Sequence, residues 1–329
     1  MRSVPPAEVW TSAAAHAAGA WGIEPSSVEV ISHTENVVCR IDQPNVGPLV
    51  LRLHRPGYNS LSELESEVTW VESLRAAGLP VPQQLPTLAG DHFVEVVVAG
   101  ERRHVGVIGW IDGQPVEDLR SGDGSDVVGH YRRAGELAAL IRTHNESWVA
   151  PAGFIRRRWD AAGLVGEAPV WGRFWDRDAL SGEQRRLFSA ARTSLVELLT
   201  SVPTGPERFG MIHADLHLRN VMADGERLTM IDFDDAGWGY YVHELAVALH
   251  PAAGEPWFAA ARDALLDGYA SVWPLAADEV ELLDAFLTIR ALMVVSWLDD
   301  RPELDIHAFL PHVIDEAVVA AEQHLGRAV

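Results

Sequence analysis

Two short motifs constrain the fold of this 329-residue chain more than any other feature. Residues 213–220 read His-Ala-Asp-Leu-His-Leu-Arg-Asn, and residues 230–234 read Met-Ile-Asp-Phe-Asp. An apolar segment leads into each motif, and a turn at Asp224 and Gly225 separates the two. This pattern predicts a strand that ends in a loop carrying Asp215 and Asn220, and a second strand that delivers Asp232.

These three side chains have the chemistry that phosphoryl transfer requires. The reaction needs a carboxylate that orients the acceptor hydroxyl and takes its proton, and oxygen ligands that hold Mg²⁺ against the nucleotide phosphates. We predict that Asp215 is this carboxylate and that Asn220 and Asp232 are the metal ligands. An alternative is a metal-dependent hydrolase in which His213 and His217 bind zinc. That alternative leaves Asn220 and Asp232 without a role.

The two motifs resemble the catalytic loop and the metal-binding motif of the aminoglycoside phosphotransferase and choline kinase family, which are small-molecule kinases with a protein-kinase-like fold. Residues 237–246, Gly-Trp-Gly-Tyr-Tyr-Val-His-Glu-Leu-Ala, also resemble a helix opening of that family. The resemblance covers most of the chain. It implies an α+β, bilobal fold with a small antiparallel-sheet N-lobe, which has one main helix, and a larger, mainly helical C-lobe. It also implies that His213 and His217 orient the catalytic loop through hydrogen bonds.

The hydrophobic pattern changes class along the chain in the same way. β-rich segments are expected at residues 28–32, 36–41, 49–54, 93–98 and 103–111. A helix is expected over residues 60–77, and long helices follow at 127–145, at 182–200 and over most of the chain beyond Val242. We therefore predict an N-lobe that binds nucleotide over residues 1–108, a hinge over 109–113, and a C-lobe with the catalytic loop and the acceptor site over 114–329.

The resemblance further implies where the nucleotide binds. The first hairpin resembles the phosphate-covering loop of the family, although it lacks the glycine triplet of protein kinases; its residues are Ser32, His33, Thr34, Glu35 and Asn36. Backbone amides of such a loop can hold phosphate. Residues 108–113 resemble the hinge, so Trp110 and Ile111 are expected to meet the purine through main-chain groups. Main-chain contacts of this kind do not indicate whether the nucleotide is ATP or GTP.

The chain contains no lysine, so all 26 basic residues are arginine. This absence excludes Schiff-base chemistry and a Walker-type phosphate loop. Family members usually carry a lysine on the third strand that pairs the nucleotide phosphates with a helix glutamate, and here Arg52 stands in its place. Glu67 is the expected partner, with Glu65 and Glu63 as alternatives. Because a guanidinium keeps its charge and can bridge a carboxylate and a phosphate, we expect Arg52 to act in catalysis.

The formal charge of −21 argues against a nucleic-acid partner, since phosphate binding needs a basic surface. Residues 240–329 contain 15 acidic residues and 4 arginines. In the resembling family the acceptor lies over the helical lobe, so this charge favours a cationic acceptor. Solvated helix faces would give the same count. Trp159, Trp171 and Trp175 either stack on the acceptor or pack the core.

The sequence thus predicts a phosphotransferase that uses ATP or GTP and Mg²⁺ to phosphorylate a hydroxyl of a small molecule. The first expected acceptor is an antibiotic or another natural product, aminoglycoside-like or nucleoside-like, in resistance or tailoring. The alternatives are a metabolic alcohol such as choline or homoserine, a stress-type protein serine/threonine kinase, and a non-catalytic nucleotide-binding pseudokinase. A single cysteine, Cys39, and the lack of a long apolar run predict a cytoplasmic protein without a membrane segment. The oligomeric state stays open.

Overall fold

The computed structural model describes residues 5–34, 36–44, 47–120 and 125–327. Within them the strands are β1 (Ser27–His33), β2 (Val37–Asp42), β3 (Leu49–Leu53), β4 (Gln84–Leu85), β5 (Phe93–Val98), β6 (Glu101–Gly109), β7 (Gln114–Pro115), β8 (Arg158–Trp159), β9 (Phe209–Ile212), β10 (Val221–Asp224), β11 (Arg227–Met230) and β12 (Gly237–Tyr240). The α-helices are α1 (Ala7–Ala18), α2 (Leu61–Ala76), α3 (Val128–Asn145), α4 (Ala161–Val165), α5 (Gly182–Ser201), α6 (Tyr241–Leu249), α7 (Phe258–Val272), α8 (Ala277–Asp299) and α9 (Leu310–Arg327).

The chain divides into two compact units. Unit 1 comprises Met1–Gly113, Ala150–Ile155 and Ala223–Asp234. Unit 2 comprises Gln114–Val149, Arg156–Met222 and Asp235–Val329. The catalytic-loop motif therefore belongs to unit 2, whereas the metal-binding motif up to Asp234 belongs to unit 1.

Unit 1 is built on an antiparallel sheet in the order β1-β2-β3-β6-β4, with β5 paired to β6. One face carries the alternating apolar side chains of β2, β3 and β6, and α1 packs in the same core. Ser60 is the N-cap of helix α2, and its side chain and that of Glu63 form a capping box. Strand β6 begins two residues earlier than expected, because Ala99 (φ 52°) and Gly100 (φ 83°) turn the chain directly before it, and it ends at Gly109 rather than at Ile111.

Unit 2 is mainly helical. Helices α3 and α7 approach so closely that a Cβ atom at Gly135 would lie 2.0 Å from the carbonyl oxygen of Leu265, and one at Gly268 would lie 1.8 Å from that of Arg132. Only glycine permits this packing. Helix α6 is buried along its whole length.

The expected α+β fold, an antiparallel-sheet region followed by a mostly helical one, is confirmed. In the described part of the chain, none of the helices combines the length and apolarity that a membrane span requires.

A buried ion pair connects three helices of unit 2. Arg142 Nη1 of α3 donates to Glu279 Oε1 of α8 at 2.9 Å and to Tyr269 Oη of α7 at 3.0 Å. Replacing Glu279 by alanine leaves this guanidinium buried without its counterion, so we expect the free energy of unfolding to fall by about 3–5 kcal/mol. Urea titration measures the change. Asp278→Asn is the matched control, because its more exposed pair with Arg208 contributes about 1 kcal/mol or less.

Candidate active site

Strand β9 leads directly into the catalytic loop, which returns through a 3₁₀ turn at Leu218–Asn220. Three donors surround the carboxylate of Asp215. Arg290 Nη2 donates to Oδ1 at 2.7 Å, Asn220 Nδ2 donates to Oδ2 at 2.9 Å, and His217 Nε2 lies 3.3 Å from Oδ2. The loop therefore brings together Asp215, Asn220 and His217, as the spacing suggests, and α8 adds Arg290.

The surroundings of Asp215 keep it ionised. Burial opposes the charge, but the neighbouring His217 and Arg290 outweigh burial and hold the pKa of Asp215 well below its usual range. The same carboxylate raises the pKa of His217 against the effect of burial. An ionised carboxylate can accept a hydrogen bond from a hydroxyl, orient it and take its proton.

Helix α6 anchors the main chain of the loop. The buried carboxylate of Glu244 accepts hydrogen bonds from the backbone N–H groups of His213, at 2.8 Å, and Ala214, at 2.7 Å. Burial raises the pKa of Glu244 to about 7. Ala214 has a φ of 63°, in the left-handed region. His213 is fully buried and its Nδ1 accepts from the backbone N–H of Asp215 at 3.3 Å, so it lies behind the carboxylate.

Glu244 therefore offers a test of loop positioning. Each carboxylate oxygen of Glu244 accepts one of the two hydrogen bonds. Glutamine keeps only one of these acceptors, and its NH2 group would lie against the other backbone N–H. We expect Glu244→Gln to lower kcat by about 10- to 100-fold with little change in KM for nucleotide, since hydrogen bonds to a charged group contribute about 1.5–3 kcal/mol. Steady-state kinetics provide the measurement, and Glu197→Gln on the exposed face of α5 is the control. Unchanged kcat would mean that α6 does not position the loop.

In unit 1, the metal-binding motif follows β11. Asp232 has a φ of 66°, and its side chain is 45% exposed. Arg52 Nη2 donates to Asp232 Oδ1 at 2.6 Å and lies 3.1 Å from Asp234 Oδ1, whereas Arg52 Nη1 lies 3.9 Å from Glu67 Oε1. The structure thus brings Glu67 near Arg52, but Asp234, for which no such contact was predicted, is closer.

The other two glutamates proposed as partners are engaged elsewhere. Glu65 contacts His92 Nδ1 at 2.9 Å, and Glu63 caps α2. The Arg52 guanidinium keeps its charge, because three carboxylates raise its pKa against the effect of burial. In a lysine-free chain this arginine is the cation that β3 presents to the metal-binding motif.

Each unit has an oxygen donor of the type that a hard divalent cation prefers. In unit 2 the Asn220 amide nitrogen also donates to the carbonyl oxygen of Asp215 at 2.9 Å, so Oδ1 is the atom of this side chain that suits a cation. In unit 1 the Asp232 carboxylate is a donor of the kind that Mg²⁺ prefers. Among the residues that the structure describes, no group of three or more His, Cys, Asp or Glu could hold a metal ion on its own. The zinc hydrolase alternative has no support there, since His213 and His217 both serve Asp215.

The remaining predicted nucleotide residues lie in unit 1. Ser32 and His33 are exposed at the end of β1, and the backbone N–H of Thr34 donates to Asn36 O at 3.1 Å. Glu35 lies outside the described residues. The side chain of Asn36 is buried against Asp234, so it does not face solvent with the rest of the hairpin.

The expected hinge residues follow β6. The Trp110 indole donates to Asp112 Oδ1 at 3.1 Å, and the guanidinium of Arg40 lies 4.8 Å from its ring centroid. Ile111 is half-buried. Gly113 (φ 101°) closes the segment, where a Cβ would lie 2.0 Å from the carbonyl oxygen of Ala223.

Two of the three candidate tryptophans pack in the core of unit 2. Trp159 and Trp171 are buried in an edge-to-face pair 5.6 Å apart, and the guanidinium of Arg290 lies 4.7 Å from the Trp171 centroid. Trp175 is half-buried beneath Arg192.

Arg290 contacts Asp215 but was not predicted as a site residue. One signal for it was available in the sequence, because it is the single charged residue in the apolar stretch 285–298 of α8.

The ionised Asp215 in unit 2 and the Arg52 and Asp232 pair in unit 1 are the kinds of group that a phosphotransferase of the protein-kinase-like fold requires. Comparison with known proteins agrees. Residues 27–279 match the phosphotransferase enzyme family, and the chain belongs to this family. The family resemblance and the enzyme class, a phosphotransferase that acts on an alcohol group of a small molecule, are confirmed.

Individual relatives have different named substrates. The chain is 26% identical to amicoumacin kinase of Bacillus subtilis strain 168 over 72% of its own length and 66% of that protein. It is 30% identical to homoserine kinase of Sinorhizobium medicae strain WSM419 over 78% and 75% of the two chains. Among solved structures, a microcompartment-associated aminopropanol kinase is 27% identical with a TM-score of 0.83 and coverage of 97% and 98%. The amicoumacin kinase hAmiN, in complex with AMP-PNP, Ca²⁺ and Ami, is 16% identical with a TM-score of 0.74 and coverage of 90% and 89%.

Proposed function

We propose that the protein transfers the γ-phosphoryl group of ATP, with Mg²⁺, to a hydroxyl of a small amine-bearing alcohol. The observation that carries this proposal is the ionised Asp215 held between Arg290, His217 and Asn220 in a loop of the kinase type. Asp215 orients the hydroxyl and accepts its proton. Mg²⁺ neutralises the phosphate charge when bound, and Asn220 and Asp232 are the residues that hold it. Because the reaction uses ATP, we place it in the cytoplasm.

Arg52 has the second essential role in this proposal. Its guanidinium, oriented by carboxylates of unit 1, binds the nucleotide phosphates as the family lysine does. Backbone amides of the hairpin that contains Ser32, His33 and Thr34 are proposed to cover the phosphates, and the main chain at Trp110 and Ile111 to meet the purine. The reaction then depends chiefly on positioning and charge neutralisation.

A cavity of about 350 Å³ in unit 2 is large enough for a small acceptor. Its lining comes from the start of α7 and from α8 and α9, and it includes Glu255, Asp284 and Glu316. His250 also lines it; burial, together with nearby Arg290 and His217, lowers the pKa of His250 to about 3. The three carboxylates of the cavity already pair with Arg120, Arg327 and His312, so it is the volume of the cavity that suits a small acceptor.

Among amine-bearing acceptors, a small amino alcohol is the first candidate, because the similarity to the aminopropanol kinase covers nearly all of both chains. An amine-bearing antibiotic is the second, because the amicoumacin kinase also matches the chain. The sequence alone placed an antibiotic or other natural product first and a metabolic alcohol second. A resistance role belongs to the second candidate only.

The test is ADP release from MgATP with 1-amino-2-propanol, homoserine, choline, amicoumacin and an aminoglycoside as acceptors. Propan-2-ol serves as the amine-free control for 1-amino-2-propanol. We expect kcat/KM for the best amine to exceed that of its amine-free analogue by about 10-fold or more, the effect of one ion pair in a partly buried site. Equal kcat/KM values for the amine and its amine-free analogue would contradict the proposal that the acceptor is cationic. No release with any acceptor while MgATP binds would favour a pseudokinase.

A further inference from the structure

Arg290 is a nearly buried cation that uses little of its hydrogen-bonding capacity. Its side chain is 9% exposed, and it stands in the apolar stretch of α8. Nη2 donates to Asp215 Oδ1 at 2.7 Å, and within the described residues the guanidinium makes no other hydrogen bond or ion pair. A guanidinium has five N–H donors. Most of them are therefore left for a ligand or for water, although deeply buried polar groups in proteins usually have a partner.

Buried tryptophans fix the plane of this guanidinium. Cζ of Arg290 lies 4.7 Å from the ring centroid of Trp171, within the range of a cation–π contact. Trp171 packs edge-to-face on Trp159 with ring centroids 5.6 Å apart, and its centroid lies 6.1 Å from that of Trp297. Stacking on a ring leaves the in-plane N–H donors of an arginine available for oxygen atoms. The donors of Arg290 thus have a fixed direction beside the carboxylate of Asp215.

The contact with Oδ1 brings Arg290 close to the oxygen that reacts. Oδ1 is the less crowded oxygen of Asp215, because Oδ2 accepts from Asn220 at 2.9 Å and has His217 Nε2 at 3.3 Å. An acceptor hydroxyl that donates to Oδ1 at about 2.7 Å lies within about 5.4 Å of Arg290 Nη2. A phosphoryl group bonded to that hydroxyl extends its own oxygens around the new bond, so they come within reach of the guanidinium.

We propose that Arg290 is a catalytic residue that binds the phosphoryl group as it moves onto the acceptor hydroxyl. The inference rests on the proposed function, because it requires that Asp215 hold that hydroxyl. The hydroxyl oxygen forms a bond to the γ-phosphorus of ATP, the bond to the bridging oxygen breaks, and ADP leaves with its electron pair. The hydroxyl proton goes to Asp215 Oδ1 and neutralises it. Arg290 then loses its counterion, and the oxygens of the transferred phosphoryl group replace it.

An arginine is suited to this change of partner. Its paired donors match a carboxylate before the transfer and a phosphoryl group after it. Donors that are already aimed at the charge that develops in the transition state need no reorganisation during the reaction. The two other basic side chains near Arg290 do not supply a charge at neutral pH, because burial, followed by Arg290, lowers the pKa of His243 and of His250 to about 3.

The experiment uses aluminium fluoride, which with Mg·ADP mimics the transferring phosphoryl group. Its apparent Kd is measured by titration at saturating Mg·ADP and the best acceptor. We expect Arg290→Met to raise this Kd and to lower kcat, each by about 10- to 100-fold, since hydrogen bonds to a charged group are lost. Kd for Mg·ADP alone and for the acceptor alone is expected to change by about twofold or less.

Arg192→Met is the matched control. Arg192 also stacks on a tryptophan, with Cζ 4.2 Å from the Trp175 centroid, and pairs with a carboxylate, Glu167, at 2.7 Å. It has no proposed part in the reaction, so aluminium fluoride should bind to this variant as to the wild type. Because Arg290 is buried, Arg290→Lys provides a second variant that keeps the charge but not the paired donors. It is expected to lose about threefold to tenfold in aluminium fluoride affinity, less than Arg290→Met.

Two results would overturn the inference alone. One is wild-type affinity for aluminium fluoride in Arg290→Met. The other is an equal loss of affinity for the acceptor by itself, which would mean that Arg290 only orients Asp215. Wild-type protein that releases no ADP with any acceptor would overturn the proposed function, and the inference with it.

Discussion

Replacement of Asp215 by asparagine is expected to lower kcat by about 10³-fold, because the amide can neither take the hydroxyl proton nor carry the charge that orients it. KM for ATP should change little, since Arg52 and the hairpin residues are the proposed nucleotide contacts. Stopped-assay measurement of ADP release with the best acceptor gives both constants. A variant with near-normal kcat would remove Asp215 from the mechanism.

Loss of the Asp215 charge also leaves Arg290 without its ion-pair partner. Thermal unfolding of the variant must therefore be recorded beside its kinetics. Arg290→Met serves as a control for this indirect effect, because it removes the guanidinium but keeps the carboxylate. We expect Arg290→Met to retain more activity than Asp215→Asn. The reverse order would indicate that Arg290, rather than Asp215, is the group on which the reaction depends.

Replacement of Asp232 by asparagine is expected to lower kcat/KM for MgATP by about 10³-fold or more, because a neutral amide holds Mg²⁺ far less strongly than a carboxylate. The loss should be largest at low Mg²⁺ and should diminish as Mg²⁺ is raised. Kinetics over a Mg²⁺ series, with EDTA as the zero point, provide the measurement. Asp224→Asn, between the two motifs, is the matched control. Wild-type turnover in excess EDTA would contradict the requirement for a divalent cation.

Much of the site could be predicted because its members are close together in sequence. Asp215, Asn220 and His217 belong to one loop, and their spacing already limits how they can meet. The resemblance to a family that usually has lysine on the third strand identified Arg52. The class of fold followed from periodicity, since alternation in β2 and the three- to four-residue spacing in α2 are local properties.

The rest depends on tertiary contacts that no local pattern encodes. Arg290 reaches Asp215 across 75 positions of sequence, and Asp234 meets Asn36 across 198. A buried charged residue on an apolar helix can be noticed in the sequence, but its partner cannot be named from it. Strand β6 begins two residues earlier than predicted, because Ala99 takes up a left-handed conformation and the turn occupies only Ala99 and Gly100.

The left-handed backbone at Ala214 and Asp232 has a consequence for engineering. A left-handed conformation at a non-glycine residue costs about 1–2 kcal/mol of folding free energy. Ala214 directly precedes Asp215, and Asp232 is itself the proposed metal ligand. Glycine at position 214 would remove this cost and make the protein harder to unfold, yet it would also let the Asp215 loop sample more conformations. A selection for heat resistance alone is thus expected to favour Ala214→Gly at the expense of turnover.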